Sequence, residues 1–200
     1  MRLATGAGAE LAELLARELA AGAVVIGIAP AGLVLARAVA TRLALPVLAV
    51  PVMTLAPPWN AKPVYGAVAF DNSVCLESDL LRDLELGRRD LESAVARARD
   101  VLATQRARRD PVELARRVAV VIDDGGAPFI AVAATLDALR NTGAGRVVAA
   151  VGDGSCRHLQ RLAGVADQVL CPRRETAPGL AQRTRRPSTS LRSRAFRPSR

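Results

Sequence analysis

An apolar run, Val118-Ala119-Val120-Val121-Ile122, stops at Asp123-Asp124-Gly125-Gly126, and a helical pattern then continues to Arg140. A buried strand that ends in acids and glycine before turning into a helix suits an open α/β sheet. In such sheets ligands bind beyond the carboxyl ends of the strands. The upstream segments agree. Val24-Val25-Ile26-Gly27-Ile28 reads as another buried strand, a loop runs through Ala29-Pro30-Ala31-Gly32, and a helix follows over 33–43, with a further strand at 47–52. Alternation of strand, helix and strand predicts parallel pairing with right-handed crossovers.

The remaining segments complete an α/β fold class: a parallel-sheet core with flanking helices, a β-hairpin and a charged helical insertion. Leu11, Leu14, Leu15 and Leu19 fall at helical spacing, opposite Glu10, Glu13 and Arg17, and Gly22 closes that first helix. Residues 64–70 and 73–76 form the expected hairpin, turning at Asp71-Asn72. The stretch 77–110 reads as helix with Leu80, Leu81, Leu84, Leu91, Val95 and Leu102 as its sparse apolar face. Strands are expected at 146–151 and 168–171, with a short helix at 158–163 between them.

Periodicity ends at Pro172, which predicts one domain over 1–172 and a disordered Arg/Pro/Ser-rich tail over 173–200. Charge follows the same division. Of the net charge of +9, the tail's nine Arg and one Glu supply +8, leaving 19 basic and 18 acidic residues in the body. Nucleic acid would therefore be met only weakly, through the tail. The tail's one aromatic, Phe196, gives no stacking platform. Arg185-Arg186-Pro187-Ser188 is a phosphorylation-like sequence, and a frameshift in a GC-rich gene is the plainer reading of the same segment. No apolar run approaches the ~20 residues of a membrane span, and no signal-peptide order is seen at the N-terminus. Cys75, Cys156 and Cys171 make no C-x-x-C pair, so neither disulfide framework nor zinc is expected, and a reduced cytoplasmic setting fits.

At the β-to-α turn, carboxylates can accept hydrogen bonds from sugar hydroxyls while the helix N-terminus favours phosphate. The plainer reading is that Asp123 and Asp124 end a strand and cap a helix. Val120-Val121-Ile122-Asp123-Asp124-Gly125 resembles the phosphoribosyl pyrophosphate motif of type I phosphoribosyltransferases, in which apolar residues and two acids precede a phosphate loop. Other segments resemble one bacterial and archaeal branch of that family in the same order over roughly 7–171. They are Ala7-Gly8 with Leu11-Ala12, Gly27-Ile28-Ala29-Pro30-Ala31-Gly32, Asn60 with Gly66-Ala67-Val68, and the Arg-rich helix 88–109.

The resemblance implies transfer of a 5-phosphoribosyl group from phosphoribosyl pyrophosphate to an unidentified base, with Mg²⁺ as cofactor. It implies that Asp123 and Asp124 bind ribose hydroxyls, that Gly125, Gly126, Ala127, Pro128, Phe129, Ile130 and Ala131 wrap the 5′-phosphate, and that Ala29, Pro30, Ala31 and Gly32 meet the pyrophosphate. No metal ligand and no catalytic residue is singled out, and a homo-oligomer is left open. The chain departs from the pattern where ligands bind. Pro128 and Ala131 replace two hydroxyl residues of the loop, Phe129 replaces a glycine, and Met53-Thr54 replaces an Arg-Lys pair. The loop is expected to hold phosphate weakly, at ~1–3 kcal/mol for each charge-assisted hydrogen bond lost. The alternative reading is a catalytically inactive binding or regulatory protein on the same fold.

Three other features compete for a role. Ser155-Cys156-Arg157-His158 places a histidine near two nucleophiles, most simply in a loop before a helix. Gly152-Asp153-Gly154 follows a strand and reads first as turn chemistry. Trp59 and Tyr65 could flank a nucleobase or pack in a core.

Overall fold

Leu11 and Leu15, one helical turn apart, are both fully buried, and they fasten α1 (Arg2–Glu18) against α2 (Ala31–Leu43). The computed structural model describes residues 2–19, 22–28, 31–106 and 114–174. Between α1 and α2 runs β1 (Val24–Ile28), buried along its whole length. After α2 come β2 (Val47–Val50), β3 (Val52–Leu55), β4 (Gly66–Ala69), β5 (Val74–Leu76), α3 (Ser78–Asp83) and α4 (Arg88–Arg106). The second half holds β6 (Val118–Asp123), α5 (Phe129–Asn141), β7 (Arg146–Val151), β8 (Asp153–Gly154), α6 (Cys156–Ala163), β9 (Gln168–Leu170) and β10 (Arg173–Arg174).

The main sheet has the order β2-β1-β6-β7-β9, and every pair in it is parallel. The strand ending at Asp123 is thus the central one. Because successive side chains of a strand point to opposite faces, each strand feeds two cores. Val25, Val120, Ile122, Val148 and Ala150 meet α1 and α2 on one face. Val24, Ile26, Val121, Val147 and Ala149 meet Val132, Leu136 and Leu139 of α5 and Leu162 of α6 on the other. A sheet covered by helices on both sides needs strands with no polar alternation, which is how these segments read.

A second, antiparallel sheet β3-β4-β5 forms the insertion. Tyr65, Val68 and Val74 pack there with Val95, Ala98 and Leu102 of α4. Ala67 and Ala69 share a cluster with Ile130, Ala131, Ala134 and Ala138, which seats the insertion on α5. The hairpin turn falls at Asp71-Asn72, where Asn72 takes φ +70° and Asp71 Oδ1 accepts from the Ser73 N–H at 2.9 Å.

Several element ends lie one or two residues from the sequence expectation, and three differences go further. The single strand at 47–52 is two strands in different sheets, parted at Pro51, which has no N–H to give a ladder. The long helix expected over 77–110 breaks into α3 and α4, because Leu84 caps α3 and Glu85 turns into the left-handed region at φ +49°; residues 107–113 lie outside the described residues. The regular pattern also continues past Pro172, since Arg173 and Arg174 pair in parallel with Asp153 and Gly154. The rest of the tail, 175–200, lies outside the described residues.

Candidate active site

The carboxyl end of the central strand separates its two acids. Asp123 is 2% exposed. Its Oδ2 accepts from the Gly125 N–H at 3.1 Å and its Oδ1 from the Ala127 N–H at 3.2 Å. Burial pushes the Asp123 carboxyl up to about 6, against the two N–H donors and with the neighbouring Asp124 charge raising it further. Asp124 is exposed and accepts only one such bond, from the Gly126 N–H to Oδ1 at 3.0 Å. Asp123 therefore shapes the loop, and Asp124 is the carboxylate that can reach a ligand.

Backbone from neighbouring strands holds this turn. The Asp123 carbonyl accepts from the Gly152 N–H at 2.9 Å. Gly125 takes φ +97°, and a Cβ there would collide with the Asp153 carbonyl oxygen. No other residue type suits that position. The Gly152-Asp153-Gly154 segment accordingly acts as scaffold to the loop, with Asp153 exposed at its rim. Gly32, in the first turn of α2, lies against the same strand end, where a Cβ would come within 2.8 Å of the Ile122 carbonyl oxygen. The structure thus brings the 31–32 turn and the 123–131 loop to one edge of the sheet. Ala29 and Pro30 lie outside the described residues.

The loop residues fall into two groups. Gly125, Gly126 and Pro128 are exposed and Ala127 and Phe129 half-buried, while Ile130 and Ala131 are buried against the insertion. Pro128 is the N-cap of α5 and offers no side-chain cap. Met53 packs with the insertion cluster, and Thr54 is exposed. Among the described residues no group of three or more His, Cys, Asp or Glu could hold a metal ion.

An open cleft of about 620 Å³ adjoins the loop, lined by Pro128, Phe129 and Ile130 together with Lys62, Pro63 and Val64. Arg161 of α6 lies with its guanidinium carbon 3.9 Å from the centre of the Phe129 ring, and its Nη2 donates to Glu77 Oε1 at 2.8 Å. Nothing local in the sequence marks Lys62 or Arg161. The one available signal was Phe129 itself, an aromatic at a glycine position that needs a partner.

The competing candidates resolve differently. Ser155 caps α6 by accepting the His158 N–H at 3.3 Å, and the buried His158 Nε2 has no hydrogen-bond partner. Burial, and then the charge of Arg161, lower the His158 pKa. Tyr65 is a core residue at 1% exposure, whereas Trp59 is 66% exposed. The three cysteines form no disulfide, and burial together with Asp137 pushes the Cys75 thiol up to about 12. Among the described residues no helix is long and apolar enough to cross a membrane.

No family model matches the chain. Over 122 residues, 58% of its length, it is 33% identical to proteins of two Mycobacterium tuberculosis strains, CDC 1551 / Oshkosh and H37Rv, each named "Putative phosphoribosyl transferase". The matched part is 27% of those relatives, so the chain spans about a quarter of their length. It is 32% identical to TT1426 from Thermus thermophilus, whose crystal structure superposes with a TM-score of 0.70 over 89% of this chain and 86% of that one. The AQ2163 protein from Aquifex aeolicus shares the fold alone, at 10% identity and a TM-score of 0.51 over 86% of this chain and 73% of its own.

Proposed function

We propose that the chain is a type I phosphoribosyltransferase, a reading supported by its likeness to the putative phosphoribosyl transferases, and that it transfers a 5-phosphoribosyl group from phosphoribosyl pyrophosphate to a nitrogenous base. The observation that carries the reading is the division of labour at the end of β6. A buried Asp123 ties down the turn, and an exposed Asp124 stands beside it at the carboxyl edge of a central parallel strand.

In this reading Asp124 accepts hydrogen bonds from the vicinal hydroxyls of the ribose and fixes the ring. Asp123 is a positioning residue that keeps the Gly125 and Ala127 amides in place. The bond from the sugar's anomeric carbon to pyrophosphate breaks, and pyrophosphate leaves with the electron pair. A bond to the nitrogen of the base forms, and its proton passes to solvent. Magnesium, entering with the activated sugar and held by its oxygens and Asp124, would supply positive charge where the leaving group gathers negative charge. The residues fit that role, since Asp124 is exposed and keeps Oδ2 clear of the loop amides.

Pyrophosphate release tests this reading. The full chain, given phosphoribosyl pyrophosphate, Mg²⁺ and a panel of nucleobases, should release pyrophosphate with at least one base, and Asp124→Asn should lower the rate by about a hundredfold or more. Release that is equal in the Asp124→Asn variant would contradict it.

A further inference from the structure

We propose that Lys62 and Arg161 form a phosphate-monoester site in the cleft beside the β6–α5 loop, replacing by charge the hydroxyl donors that the loop lacks. The inference rests on the ribose-binding reading above for its location, though not for its test.

The loss and the replacement meet at one side chain. Phe129 denies the loop the close approach a glycine would give, but its ring is the platform on which the Arg161 guanidinium lies at 3.9 Å. Glu77 holds one edge of that guanidinium through the 2.8 Å bond to Nη2. A planar guanidinium fixed by a ring on one face and a carboxylate on one edge has lost most of its freedom, and its remaining donors are preorganised for an oxyanion. Arg161 keeps 41% of its side chain exposed.

Lys62 lines the same cleft. The Asn60 side chain holds its backbone there, Oδ1 accepting from the Lys62 N–H at 3.1 Å. Among the described residues Lys62 joins no ion pair. Glu77 is the one carboxylate lining the cleft, against two cations. The balance is positive, and the neutral walls of Pro63, Val64, Pro128 and Ile130 lower the local dielectric and strengthen it. A cleft of about 620 Å³ has room for a sugar phosphate. Two cations lining it bind a doubly charged phosphate better than two neutral hydroxyls would.

Calorimetric titration of the full chain with ribose 5-phosphate and with ribose tests the site. Ribose 5-phosphate should bind at least about tenfold more tightly than ribose, and Lys62→Gln or Arg161→Gln should each weaken it about tenfold while leaving ribose unchanged. Arg161→Lys should recover only part of the loss, since it returns charge without the fork. Circular dichroism checks that each variant folds, and Lys62→Gln, on an exposed loop, carries the test if Arg161→Gln unfolds. Unchanged ribose 5-phosphate affinity in both variants would overturn the proposal, because it would lodge the phosphate in the Arg-rich tail or in the loop amides. Phosphate binding through Lys62 and Arg161 without pyrophosphate release would leave this site standing and remove the transferase reading. Release with both variants unaffected would do the reverse.

Discussion

Gly125 and Asp123 concentrate the local constraints. Gly125→Ala would strain a backbone at φ +97° and drive a methyl into the Asp153 carbonyl, so unfolding midpoints in urea should report a loss of about 2 kcal/mol or more. Asp123 sets a pH dependence. Its carboxyl, raised from 3.8 to about 6, holds a proton in the folded state that the unfolded chain has already released. The resulting stability is complete below about pH 4 and is lost as pH rises through 6, a difference of about 3 kcal/mol. Urea titrations at pH 4, 5, 6 and 7 should show that decline, and Asp123→Asn should flatten it. An unaltered slope in the variant would place the titration elsewhere. At this scale the sequence identified the acids but not their separate roles, since adjacent residues at a strand end look alike until burial divides them.

Elements were most legible where both faces of a strand are covered. β1 and β7 carry unbroken apolar runs and emerged with the expected bounds, and β6 differs from its run only by taking in Asp123. The β2–β3 division was hidden because Val47-Leu48-Ala49-Val50-Pro51-Val52 is apolar throughout, and only tertiary pairing assigns its halves to different sheets. The Lys62–Arg161 cleft was hidden for a related reason: its walls come from the loop before β4 and from α6, which share no local pattern. The insertion should be an integral part of the fold. Leu102 of α4 is fully buried in its cluster, and Leu102→Ala should cost about 2–5 kcal/mol of stability by thermal or chemical unfolding. A change under about 0.5 kcal/mol would mean that α4 does not pack on the hairpin.

At the scale of the whole molecule, a nearly neutral body carries a strongly basic terminal segment. The body should fold without the segment beyond Arg174. Truncation there should shift the thermal midpoint by no more than a few degrees, and a larger loss would show that the segment packs on the body. Any affinity for RNA or DNA should disappear with the same truncation and fall steeply with salt in the full chain, whereas equal binding by the truncated body would refute that assignment. The resemblance was legible because Asp123-Asp124-Gly125 closes the central strand of a sheet whose other segments arrive in matching order. What ligand the altered loop holds depends on charges brought from outside the motif. The most direct measurement is calorimetric titration with phosphoribosyl pyrophosphate in the presence of Mg²⁺. Saturable, Mg²⁺-dependent binding to the full chain, weakened at least about tenfold by Asp124→Asn, is the predicted result; binding that is absent at millimolar ligand, or indifferent to that substitution, would contradict a ribose site at the end of β6.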